Sequence, residues 1–235
     1  MSTGQRGWRG PAALVALSVV PLVAGTLRLV ELAGGPALIP ADARFTASPL
    51  PVIVHIVSAA VYALLGALQF AAGFRRRRPG WHRAAGRVLV VAGLGVAASA
   101  LWLTLFFPPQ PGSGRLLFVL RILFASGMVA SLGVGLAAIR RGDVVTHRAW
   151  MTRAYALALG AGTQVFTEGI GGAVFGHSPL ALDASRGAAW VVNLAIAEWA
   201  IHRDPTGRGR RAGRDSGRGG AARRPAARIV VGERS

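Results

Sequence analysis

Residues 51–87 read PVIVHIVSAAVYALLGALQFAAGFRRRRPGWHRAAGR, an apolar run that ends in four consecutive arginines and a Pro-Gly turn. An apolar stretch of roughly 20 residues, rising 1.5 Å per residue as a helix, is what crossing about 30 Å of hydrocarbon requires. A cluster of arginines beside such a run marks the end retained in the cytoplasm. Five further runs of the same kind flank it. The expected spans are 12–33, 51–73, 86–107, 116–139, 149–172 and 187–202.

The connecting segments take arginine in strict alternation. All 27 Lys+Arg residues are arginine, and with the N-terminus in the cytoplasm 22 of them fall on that side. Arg28, Arg44, Arg115, Arg121 and Arg186 are left for the other. The reading is an all-α, polytopic transmembrane bundle of six helices with both termini cytoplasmic. Residues 1–11 form a cytoplasmic N-terminus, 12–203 the membrane domain and 204–235 a basic tail. Backbone groups in lipid must be satisfied within the segment, so helices are the spanning element, and the short alternating segments of a barrel are missing from the sequence. The first run continues apolar to Leu32, past the length of a signal peptide, and is read as a retained helix.

Composition narrows the classes. The 235-residue chain is 52% hydrophobic and 15% charged, with net charge +18. That charge sits in short loops and the tail, so anionic lipid headgroups are the expected partner and nucleic acid is not. Arginine without lysine, with abundant Ala and Gly, suits a high-GC bacterial coding bias, which places the protein in a bacterial cytoplasmic (inner) membrane. No cysteine is present. Disulfides, thiolate nucleophiles and Cys-ligated metal centres are excluded. Residues 204–235, a Gly/Arg/Ala/Pro mixture, bury too little surface to fold and are expected to be disordered. No local catalytic motif stands out, and an enzymatic role is not expected.

Ionisable groups inside spans are costly and therefore informative. His55, Tyr62, Gly66 and Gln69 share one face of the second span. On the fifth, Arg153, Gly160, Gln164 and Glu168 share another, with Glu168 at about the depth of His55. Gly160-Ala161-Gly162 should loosen this helix and Gly169 to Gly172 should end it early. Glu198 lies at the depth of Arg83, Arg87, Arg148 and Arg153, and an ion pair with one of the last three is expected to clamp the cytoplasmic end. Arg28 and Glu31, three apart, should pair. His82 and His147 precede the third and fifth spans at equivalent positions. Two imidazoles there can hold haem iron or a divalent metal, or simply meet lipid phosphate beside arginine. An internal echo supports the equivalence: Arg75-Arg76, His82-Arg83 and Arg87 correspond to Arg140-Arg141, His147-Arg148 and Arg153, with the His-Arg pairs 65 residues apart. Duplication and convergent positive-inside loops both account for it.

These residues form a pattern. It comprises His55…Tyr62…Leu65-Gly66-Ala67…Gln69-Phe70, then His82-Arg83-Ala84-Ala85-Gly86-Arg87. Gly142-Asp143…His147-Arg148-Ala149-Trp150-Met151…Arg153-Ala154-Tyr155-Ala156 and Asn193…Ala197-Glu198-Trp199 complete it. The chain resembles the bacterial predicted membrane proteins grouped as domain of unknown function 2306, from the second span to the end of the sixth. The resemblance implies a multi-helix membrane protein of unassigned activity, and Gln164 to Glu168 depart from its pattern. A looser similarity is to two-haem b-type membrane cytochromes, which implies at most one inner haem b here. Three functions stay open: a structural or sensing membrane protein; a b-type haem or metal redox protein using His82 and His147, with or without His55; and a small proton-coupled transporter using His55, Gln69, Gln164 and Glu168.

Overall fold

The computed structural model describes residues 3–45 and 47–203, with the side chains of residues 3–7 left out. The basic tail expected to be disordered, residues 204–235, lies outside the described residues. Eight α-helices follow in order among them: α1 (Thr3–Leu32), α2 (Leu50–Gln69), α3 (Ala72–Arg77), α4 (Pro79–Phe106), α5 (Arg115–Arg140), α6 (Val144–Ala158), α7 (Gly160–Phe175) and α8 (Pro179–Arg203). One 3-10 turn, Ala43–Phe45, precedes α2, and the described residues hold no strand.

The class is all-helical, as the hydropathy required, but the helices are not six uninterrupted spans. The second run stops at Gln69, and a short helix carries Phe74 and the first three arginines of the cluster into the next turn. Pro79, with its fixed φ and missing N–H, starts α4 at its first position. The fifth run begins earlier than expected, at Val144, and is two helices of 15 and 16 residues that break at Leu159. The sequence Gly160-Ala161-Gly162 follows that break, and glycine costs about 1 kcal/mol in a helix interior. The Gly169 to Gly172 run does not end the helix early; α7 carries through it to Phe175. The last helix begins at Pro179, eight residues ahead of the expected span, because Asp183 and Arg186 are folded into it.

Among the described residues four helices are long and apolar enough to cross a membrane on length and composition: Trp8–Leu32, Leu50–Gln69, Pro79–Phe106 and Arg115–Arg140. Helices α6 and α7 are individually short, and α8 carries Asp183, Arg186 and Glu198. Asp183 and Arg186 look into the protein, while Glu198 is half-exposed near the end of α8. Large apolar side chains face outward instead, among them Val91, Phe106, Ile170 and Phe175, more exposed than a water-soluble surface tolerates.

The packing is a ring with one helix inside it. Contacts run α1–α2–α4–α5–α8–α7 and back to α1, while α6 touches α2, α4, α5, α7 and α8. Four successive residues of α6, Ala154 to Leu157, are buried, as a central helix demands. The break at Leu159 lets one chain segment pass from the centre of the bundle into the ring. Close approach there depends on Gly162, where a Cβ would collide with the backbone oxygen of Leu17 on α1. A backbone atom cannot rotate away. Gly162→Val is therefore expected to destabilise by about 1–3 kcal/mol through overpacking, read as a lower Tm of the detergent-purified protein. Gly133→Ala, which meets nothing within 4 Å, should cause no loss.

Candidate functional site

The helix ends gather at two poles. At the arginine-rich pole Trp8, Phe74 and Trp81 form a chain of ring contacts that joins the starts of α1 and α4 through α3. The turn between α5 and α6 closes with Gly142 at φ 74° and Asp143 as N-cap. Asp143 accepts from the backbone N–H of Thr146 at 3.1 Å and from its hydroxyl at 2.7 Å. That cap fixes the first turn of α6 and hence His147, one turn further on.

Both histidines of the pole are held the same way. His147 Nδ1–H donates to the backbone oxygen of Gly135 at 2.9 Å, twelve residues upstream on α5. His82 Nδ1–H donates to Gln69 Oε1, thirteen residues upstream on α2. An imidazole that donates through Nδ1 keeps a lone pair on Nε2, so each ring offers Nε2 as a ligand. The two rings are close enough for the charge of one to act on the other. The amide that orients His82 has its own Nε2 buried without a partner, while Arg75 donates to the Gln69 backbone oxygen at 2.9 Å. Arg83 adds positive potential beside His82.

Arg153 and Glu198 form a two-pronged pair, Nε to Oε1 at 2.5 Å and Nη2 to Oε2 at 2.9 Å. Of the arginines expected to clamp Glu198, Arg153 is the one that does; its guanidinium also stacks over Trp150 at 4.6 Å. Deeper in the core, Tyr155 donates to Ala63 O at 2.7 Å and lies on Gly66, with Tyr62 and Phe70 ring-packed around it. The Tyr62 and Gly66 face is thus the seat of the central helix.

The remaining residues of the expected intramembrane site separate. His55 bonds Ser99 on α4 at 3.0 Å, near the arginine-poor pole. Glu168 pairs with Arg186 Nε at 3.0 Å, and Gln164 donates to Arg186 O at 3.3 Å. Gln69 sits at the opposite pole with His82. So His55, Gln69, Gln164 and Glu168 do not form one site, and His55 and Glu168 each have another partner. Arg28 and Glu31 pair at 2.5 Å as expected. Outside the spans, hydrogen bonds from Arg44 hold the Asp42 carboxyl below the usual aspartate range.

Three further polar residues carry structure that their sequence positions did not declare. Asp183, 1% exposed, accepts from the backbone of Gly114 and Leu117 across the bundle. Asn193 donates to Ala156 O at 3.1 Å and accepts from the Thr163 hydroxyl at 2.8 Å, one bond on each side of the Leu159 break. Arg121, six residues into α5, is within electrostatic reach of Arg186, Arg44, Asp183 and Glu168. An ionisable residue inside an apolar run was the available signal for Arg121.

The family model described as Predicted membrane protein (DUF2306) matches residues 52–201, and with them every site residue above from His55 to Glu198. The chain belongs to this family. No curated protein and no solved structure matches it. As a DUF2306 protein it is an integral membrane protein by family as well as by hydropathy. The match begins within α2, so the helices that build both poles around α6 lie in the family region, with α1 packed beside them.

Proposed function

We propose that this DUF2306 protein crosses a bacterial inner membrane six times with both termini in the cytoplasm. We propose further that it holds a b-type haem between His82 and His147 at the cytoplasmic pole and acts in membrane electron transfer. In that topology α6 and α7 together make the fifth crossing. Arg75 to Arg78, flanked by Phe74 and Trp81, face anionic headgroups.

The observation that carries the haem reading is the matched pair of imidazoles, each with Nδ1–H committed to a carbonyl oxygen. A carbonyl oxygen on Nδ1–H fixes the tautomer and raises the basicity of Nε2. The donor set favours haem over zinc. A structural zinc needs four protein ligands, whereas haem iron needs only two axial ones. Among the described residues no group of three His, Cys, Asp or Glu comes together. Neighbouring arginines suit the haem propionates. The group, when bound, supplies one-electron redox chemistry; the protein supplies the two ligands, their orientation and the positive surroundings.

The test is the optical spectrum of detergent-purified full-length protein from haem-replete cells. A Soret band is expected, and His82→Ala or His147→Ala should abolish most of it. Gln69→Leu should lower haem affinity by about 10-fold or more, as loss of an outer-sphere partner does. Colourless wild-type protein would overturn the reading.

A further inference from the structure

At the arginine-poor pole a cavity of about 420 Å³ opens between the end of α4, the proline-rich connection and the start of α5. Its walls include Leu103, Phe107 and Phe118, and Arg115 and Arg121 both line it. The volume lies within the range of small-molecule sites, and the combination of apolar walls with few polar groups is characteristic of them.

Neither guanidinium that lines it has an ion pair; Arg115 is exposed, and Arg121 is the more buried of the two. Asp183 accepts from Gly114 with both carboxylate oxygens and from Leu117 with one, so it serves the α5 N-terminus. Glu168 is held by Arg186, and Asp42 is held by Arg44. Arg121 is left with the neutral amide oxygen of Gln110, at 2.9 Å. Behind it Arg186, whose side chain is 11% exposed, has Nη1 buried with no partner. Arg186 and Arg44 both repel Arg121, and the attraction of Asp183 and Glu168, each engaged elsewhere, offsets only part of this. A half-buried cation with no carboxylate bonded to it is costly in a low-dielectric setting, and an incoming anion would relieve that cost.

We propose that this cavity binds an amphiphilic monoanion, its two-oxygen head on the Arg121 guanidinium and its apolar body against the cavity wall. The guanidinium fork matches carboxylate and phosphate-ester oxygens in pairs. The apolar walls select against a small hydrated ion such as chloride. The same chemistry is offered by a free organic carboxylate and by the head and first methylenes of an anionic lipid.

Two measurements on the full-length protein separate these sources. Native mass spectrometry after equimolar exposure to phosphatidylglycerol and phosphatidylcholine of equal chain length reads lipid retention. A thermal shift with benzoate reads the soluble anion. Arginines of α3 retain headgroups in every variant, so the readout is the difference from wild type. Arg121→Gln should weaken binding of the true ligand by about tenfold, the worth of one charge-assisted contact. Thr104→Phe, which fills the cavity and keeps every charge, should do the same. Loss of phosphatidylglycerol retention assigns a lipid head; loss of the benzoate shift alone assigns a free carboxylate. If folded Arg121→Gln retains both responses at wild-type strength, the proposal fails. Should Arg121→Gln not fold, wild-type responses in Thr104→Phe have the same force.

Discussion

Asp183→Ala is expected to cost about 3 kcal/mol, and roughly 6–12 °C in Tm for a chain of this size. The carboxylate belongs to α8, yet it caps α5. It receives the Gly114 N–H at 2.9 and 3.1 Å and the Leu117 N–H at 2.9 Å, in a place where Asp183 and Leu117 are each 1% exposed. A helix begins with N–H groups that have no intrahelical acceptor, and each one left unsatisfied in a buried site costs about 1–3 kcal/mol. Removing the acceptor strands two of them and also removes the negative charge facing the positive end of the helix dipole. Asp183→Asn keeps one carbonyl oxygen and should recover about half of the loss. The ranking wild type, Asn, Ala in detergent melting is the check; an Ala variant within 1 °C of wild type would show that the cap carries no stability.

Asn193→Leu is expected to destabilise by about 2–3 kcal/mol. The substitution keeps the branched four-atom skeleton and removes both the donor to Ala156 O and the acceptor for the Thr163 hydroxyl. Interhelical side-chain bonds in membranes average only about 0.6 kcal/mol, because a polar group set free finds another partner. The Leu159 break raises the stake here. Ala156 lies in the last turn of α6, whose carbonyls lack intrahelical donors, and Asn193 is 7% exposed. A double-mutant cycle with Thr163→Val should return a coupling of about 1 kcal/mol. A coupling of zero would mean that the two side chains do not hold the break together.

Both effects rest on residues whose importance was hard to read from the chain alone, and the reason is distance along it. Helical class and the placement of arginine are written in runs of about twenty residues, so hydropathy exposes them directly. The Asp143 cap acts over three residues and His147 over twelve, within reach of pattern reading. The Arg153–Glu198 pair was legible as a match of depth and charge. Asp183 instead reaches a partner 69 residues away, and Asn193 reaches back 37. Nothing local marks either as a cap. The glycines after Leu159 did signal a loosened fifth helix, but not that α6 would sit at the centre and α7 in the ring. The expected depth match of His55 and Glu168 was misleading in partnership, since His55 bonds Ser99 and Glu168 pairs with Arg186.

The last helix has a consequence for the order in which the protein is made. Helix α8 supplies the acceptor for the start of α5, the clamp for the Leu159 break and the carboxylate for Arg153. A ribosome delivers α5, α6 and α7 before any of these groups exists. Until residue 198 has emerged and docked, the N–H groups of Gly114 and Leu117, the carbonyl of Ala156 and the guanidinium of Arg153 must wait on water, lipid headgroups or the insertion machinery. The earlier helices can enter the bilayer one by one, but α5, α6 and α7 can lock in place only when α8 has docked against them.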